Sequence, residues 1–161
     1  MKLIVAVNNK NVIGANGEIP WVCKEDLRHF YKTTVNNIII MGRKTYESVG
    51  SLNKRYTIVL SSTPQRHKED TFFATNIGQA CITAEEYWKK YPEKKVYVVG
   101  GSFVYESFLS EGLIDEIILT HVNDNSDGDA FFEVPDGWKV VSNKDISKVA
   151  TIYVYRPNKR D

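Results

Sequence analysis

The stretch VYVVGGSFVYESFL, residues 96–109, decides the fold. Its first four residues are uncharged and rich in valine, the composition of a strand buried on both faces of a parallel sheet. Gly100 and Gly101 end the run, and beyond them Val104 and Phe108 recur at helical spacing. Glycine lets a backbone approach a ligand closely, and the free amides at a helix start suit phosphate oxygens. The pair alone says little, because Gly-Gly often marks a plain turn and this is neither GxGxxG nor a P-loop.

Two further junctions repeat the pattern. NIIIMGRKTYESVG, residues 37–50, runs from a buried strand through Gly42 into a helix opened by Arg43, Lys44 and Thr45. Cations at a helix start oppose its dipole and ask for a compensating anion. YTIVL, residues 56–60, ends in Ser61, Ser62 and Thr63, with Arg66 and His67 just beyond. In an open α/β sheet, ligands gather at the carboxyl ends of strands, and all three junctions are of that kind. Together they favour a phosphorylated nucleotide.

Around these junctions the periodicity predicts strands over 2–7, 37–41, 56–60, 95–99 and 116–122, with a C-terminal pair near 138–141 and 150–155. Helices are predicted over 24–34, 44–49, 84–90 and 103–110. TIYVY near the end alternates, which suits an antiparallel edge hairpin. The expectation is an α/β fold: one domain over 1–161, with a central twisted, mostly parallel sheet, a C-terminal antiparallel edge hairpin, and helices on both faces. The connection NNKNVIGANGEIPWV is long enough to be functional.

Composition limits the setting. The chain has 161 residues, 42% hydrophobic and 25% charged, enough for one real core. Its 21 lysines and arginines against 20 acids leave a net charge of +1, no footprint for nucleic acid or an anionic membrane. Cys23 and Cys81 form neither a disulfide framework nor a CxxC pair. The run LIVAV is too short for a signal-peptide core, and no window approaches a membrane span. A cytoplasmic protein is the expectation.

GEIPWVCKEDLRHFYKTT, residues 17–34, raises a separate question. On a helical wheel, Cys23, Leu27, Phe30, Tyr31 and Thr34 share one side, and Asp26 flanks that stripe. Acids favour the first helical turn for dipole reasons alone, and wheel geometry by itself favours that plain reading.

Taken in order, VIGANGEIPW, EDLRHF, IMGRKTYESVG, RYTIVLSS, VYVVGGSFVYE, LTHV and DGDAFF resemble the dihydrofolate reductase family over nearly the whole chain. The resemblance implies NADPH and a pterin meeting in one cleft of a monomeric enzyme. Hydride passes to C6 of dihydrofolate, with or without a polyglutamate tail, and a proton to N5, giving tetrahydrofolate for one-carbon metabolism and thymidylate synthesis. It makes Asp26 the acid of the pterin pocket, Thr120 the hydroxyl that supports it, and Trp21 a boundary that helps hold an ordered water. Leu27, Phe30, Val49 and Leu52 become apolar walls, Val5 and Ala6 first-strand contacts, and Arg55 the grip on the glutamate α-carboxylate.

On the cofactor side the resemblance assigns Gly42, Arg43, Lys44, Thr45, Ser61 and Ser62 to phosphate and adenosine contacts, with Arg43 and Lys44 reading the 2′-phosphate. Gly100, Gly101, Ser102, Phe103 and Tyr105 lie against pyrophosphate and nicotinamide ribose, with the Gly-Gly peptide cis; Tyr105 also joins the catalytic set. Ala6, Ile13, Gly14 and Glu18 contact the cofactor, the last three from a mobile loop that Asp129 steadies. Departures from the family pattern are Cys23 and Lys24 after the Pro-Trp pair, GSLNKR before Arg55, and Tyr46 where tryptophan is common.

Other chemistries fit worse. NDNSDGDAFFE begins with Asn123, places Glu133 one position early for a calcium loop, and follows a strand. His29, His67 and His121 lack metal-ligand spacing, and no GxSxG elbow occurs. A same-fold reductase of the riboflavin pathway would lack the acid after Pro-Trp. A noncatalytic folate or nucleotide binder is the reading from another class.

Overall fold

Residues 1–50, 52–63 and 65–158 are described by a computed structural model. Ser51, within the GSLNKR approach, and the last three positions of the expected 1–161 domain lie outside the described residues.

Where apolar runs are continuous, strands form within one residue of expectation: β1 (Lys2–Val7), β3 (Ile38–Gly42), β4 (Tyr56–Leu60), β6 (Val96–Gly100) and β7 (Glu116–Val122). Short strands β2 (Val12–Gly14), β5 (Thr71–Ala74) and β8 (Ala130–Phe131) were not expected, and β9 (Trp138–Asp145) and β10 (Ala150–Pro157) outrun the predicted pair. Helix α1 (Lys24–Thr34) matches its prediction, while α2 (Arg43–Val49) and α4 (Ser102–Ser110) begin one residue early. Helix α3 (Ile77–Lys90) begins well before the predicted Ala84. Its cap explains the difference: the Asn76 side chain accepts from Gln79 N at 2.8 Å, and Gln79 Oε1 accepts from Thr75 N at 2.8 Å.

The main sheet runs β5-β4-β3-β6-β1-β7-β10-β9, parallel as far as β7 and antiparallel over β7-β10-β9. A separate antiparallel pair joins β2 to β8. Strand alternation divides the core. Ile38 and Ile40 pack with Ala80 and Ala84 of α3 and Val104 and Phe108 of α4. Ile39 and Met41 face the other way, toward Phe30 of α1 and Tyr46 of α2. Each fully buried isoleucine contributes roughly 1.5–3 kcal/mol, so both helical layers are fixed to the sheet.

This order places the site. From β1 the chain crosses to β3 on one side; from β6 it crosses to β7 on the other, yet β1 and β6 are hydrogen-bonded neighbours. Connections diverging from adjacent parallel strands open a crevice at their carboxyl ends. That crevice lies between the end of β1 and the Gly100-Gly101 turn.

The α1 wheel needs one correction. Cys23 and Thr34 are buried and Phe30 packs against the core, but Leu27 is 48% and Tyr31 45% exposed. Periodicity finds an apolar stripe without telling a core-facing side chain from one on an open wall. Cys23 has a packing role, clustering with Val122 and Ala150 beside Trp21 and Ile146.

Candidate active site

Three strand ends build one side of the crevice. A Cβ added at Gly42 would sit 3.0 Å from Val104 Cγ2 and 3.9 Å from the Gly100 carbonyl oxygen; one added at Gly101 would sit 3.4 Å from Thr45 Oγ1. The ends of β3 and β6 therefore touch, and glycine keeps them close. The Gly100-Gly101 peptide is cis, and Gly100 takes φ +128, a region that favours glycine. Ser102 is half-buried, and Phe103 stands 79% exposed at the start of α4.

Nearby, Arg43 and Lys44 project from the exposed start of α2; Arg43 Nε lies 3.9 Å from Glu47, a loose pair in solvent. Ser61 is buried with its hydroxyl donating to the Thr63 carbonyl at 3.0 Å, whereas Ser62 is exposed.

Asp26 stands across the crevice. Burial raises its pKa above the ordinary aspartate value, and a hydrogen bond from the Thr120 hydroxyl works in the opposite direction. Thr120 is 1% exposed and pairs with Ala6 of β1, so the acid is tied to the centre of the sheet. Tyr105 is buried beneath the glycine turn, its hydroxyl donating to the Ile4 carbonyl at 2.7 Å. Burial, then the charge of Asp26, pushes the Tyr105 phenol far up, so it stays protonated. Val5 is buried, and Ala6 and Trp21 are half-buried.

The remaining wall is apolar. Leu27 and Val49 are half-exposed, while Phe30 and Leu52 pack on the core cluster that holds Ile39 and Met41. Arg55 closes this end at 8% exposure. Its Nε donates to Thr34 Oγ1 at 2.9 Å, one terminal nitrogen to the Tyr31 carbonyl at 2.7 Å, and the other to the Asn53 carbonyl. A guanidinium carries five N–H donors, so one remains on each terminal nitrogen, a two-pronged set suited to a carboxylate.

A loop crosses the opening. Asn16 and Gly17 both take positive φ, the backbone of a tight hairpin turn closed by Ala15 and Glu18, whose mutual hydrogen bonds measure 2.7 and 3.1 Å. Ile13 packs on the core and Gly14 lies beside Ala130, while Glu18 is exposed. Asp129 accepts from Asn16 N at 3.1 Å and donates its own N–H to the Gly14 carbonyl at 3.0 Å; Ser48 donates to the Gly17 carbonyl at 2.9 Å.

No metal-holding cluster occurs among the described residues, and no helix among them is long and apolar enough to cross a membrane. His67 Nδ1 accepts from Phe73 N at 3.1 Å while its ring stacks on Phe72.

The model of the dihydrofolate reductase family matches residues 1–156. The chain belongs to that family. A dihydrofolate reductase of Buchnera aphidicola subsp. Schizaphis graminum is 38% identical over 134 residues, 82% of this chain and 78% of that protein. One from Haloferax volcanii is 35% identical over 144 residues, covering 86% and 73%. A solved dihydrofolate reductase from Enterococcus faecalis, complexed with NADP(H) and RAB-propyl, superposes with a TM-score of 0.83 at 27% identity, covering 98% and 96%.

The chain holds its loop through residues that carry no motif in the sequence. Asn8 is fully buried: Oδ1 accepts from Lys10 N at 2.9 Å and Val12 N at 3.0 Å, and Nδ2 donates to Asp124 at 3.1 Å and the Ser126 carbonyl at 2.8 Å. Asn9 reaches Asn123 and Asn125, and Lys10 pairs with Asp127. The segment resembling a calcium loop thus spends its polar groups on NNKN. A signal was present, two Asn/Asp-rich stretches directly following β1 and β7, but side-chain partners are not encoded in spacing.

Proposed function

We propose that the chain catalyses NADPH-dependent reduction of dihydrofolate to tetrahydrofolate, supporting one-carbon metabolism and thymidylate synthesis. NADPH supplies the hydride that goes to C6. The close-set glycines at 42, 100 and 101 suit the backbone approach that a dinucleotide requires, and Arg43 and Lys44, exposed at a helix start, suit its 2′-phosphate. Thr45, Ser61, Ser62, Ser102, Phe103 and Tyr105 complete this wall, with Ala6, Ile13, Gly14 and Glu18 from the strand and loop.

Asp26 carries the proposal: a part-buried carboxylate, supported by Thr120, at the topological switch point. Its oxygens accept from pterin N3 and the 2-amino group, and its charge favours proton delivery to N5 through water bounded by Trp21. Leu27, Phe30, Val49 and Leu52, with Val5, flank the rings, and Arg55 takes the α-carboxylate with its two uncommitted N–H groups. Asp129 steadies the loop closed over the nicotinamide. The enzyme acts as a cytoplasmic monomer, one domain over 1–161, on dihydrofolate with or without a polyglutamate tail.

The test is oxidation of NADPH by purified protein, followed by loss of nicotinamide absorbance with and without dihydrofolate. Dihydrofolate-dependent turnover is expected. Tight binding of both ligands with no turnover would leave the noncatalytic binder.

A further inference from the structure

Between α4 and the chain after β8 lies an open groove of about 530 Å3, within the usual range of roughly 300–1,000 Å3 for small-molecule sites. One wall is α4, presenting Glu106, Leu109 and Ser110; the other is Phe131 of β8 and the chain after it, through Phe132, Glu133 and Pro135. We propose that this groove binds a small aromatic cation.

The apolar surface comes from Leu109, the two phenylalanines and Pro135, with Phe131 half-exposed. Each wall adds one carboxylate, and neither has a cationic partner among the described residues. Glu133 accepts only from Asn11 Nδ2, at 3.0 Å, and no hydrogen bond or ion pair from Glu106 is found. Two unneutralised acids flanking an apolar groove disfavour anions and favour a cation, and the Phe131 ring adds an electron-rich face. An aliphatic ammonium would leave that aromatic and apolar surface uncovered. A flat ring bearing one positive group covers it and places its charge between the acids.

The site is distinct from the crevice but adjoins its foundation. Phe132 is buried edge-on against Tyr105, with ring centres 5.3 Å apart. Phe131 pairs with Val12 in the two-stranded β2-β8 ladder.

The probe is 2-phenylethylammonium, titrated into the full chain while amide and methyl resonances are followed by NMR. Supporting results are saturable shifts at Glu106, Leu109, Phe131 and Glu133, about tenfold weaker binding in Glu106→Gln/Glu133→Gln, and no comparable shifts with benzoate. Glutamine keeps both side chains' size and the acceptor for Asn11, and unchanged turnover of the double variant reports an intact fold. The proposal is overturned by shifts confined to Asp26 and its neighbours, by benzoate binding equally well, by affinity indifferent to the double substitution, or by failure to saturate.

Discussion

The Thr120 hydroxyl, from the middle of β7, stands beside the carboxylate of Asp26 in the first turn of α1 and works to lower its pKa. Burial nevertheless holds the Asp26 pKa above the ordinary 3.8. Because the folded state then retains a proton that the unfolded chain releases, stability falls as pH rises through the window between the two values. Asp26→Asn therefore raises the melting temperature at neutral pH, and the gain vanishes below the ordinary aspartate pKa. The same variant slows hydride transfer by about 100-fold or more, with partial recovery in acid where solvent supplies the proton. Single-turnover rates across pH check the second effect, and an unchanged rate would remove Asp26 from catalysis.

Arg55 has a mechanical and a recognition role. Two of its contacts, to Thr34 Oγ1 and the Tyr31 carbonyl, hold the C-terminal part of α1 to the approach of β4, and the third, to the Asn53 carbonyl, braces that approach itself. Arg55→Lys loses the planar fork, so KM for dihydrofolate rises about tenfold or more, while a pterin substrate lacking the glutamate shows no such rise. Equal losses for both substrates would mean that Arg55 acts only by positioning α1.

How much of this was legible follows from what repeats along the chain. Runs such as NIIIM and VYVV located the parallel strands because a doubly buried strand needs no partner information. The first turns of α3 lie ahead of the predicted start at Ala84, although Asn76 and Gln79 form a recognisable cap. β2 and β8 are too short to show a period, and they pair across more than a hundred residues, so no local turn marks them. The wheel sets Asp26 beside the apolar stripe, but whether Leu27 faces core or crevice depends on tertiary packing. The Asn8 contacts to Asp124 and Ser126 and the Arg55 contacts to Thr34 and Tyr31 involve residues far away in sequence, so no local pattern could disclose them.

Asn8 tests the loop assembly. Asn8→Ala removes four hydrogen bonds and leaves the buried Val12 N–H without its partner, costing roughly 1–3 kcal/mol. The released turn loosens the β2-β8 pair, so amide exchange at Asp129 and Phe132, whose N–H groups bond Gly14 and Asn11, accelerates more than exchange in β3. Gly128→Ala reaches the same pair sterically, since its Cβ would overlap Val12 Cγ1 and the Gly14 oxygen. Uniform acceleration across the sheet would instead indicate global destabilisation.

Glu116 links three neighbouring strands. Its carboxylate accepts from Lys2 of β1 at 3.0 Å and from Arg156 of β10 at 3.1 Å. Burial pushes its pKa upward, but the two cations outweigh that and hold it below the ordinary 4.5. A depressed acid contributes stability above its unfolded pKa and loses it as pH falls through the folded value. Glu116→Gln should cost on the order of 1.5–3 kcal/mol at neutral pH, the range for hydrogen bonds to charged groups. The deficit should shrink as pH falls below 4.5, where the unfolded wild-type chain takes up a proton on this carboxylate before the folded one does. Urea unfolding of both proteins from neutral pH into this acid range checks the sign, and a deficit independent of pH would assign the loss to packing.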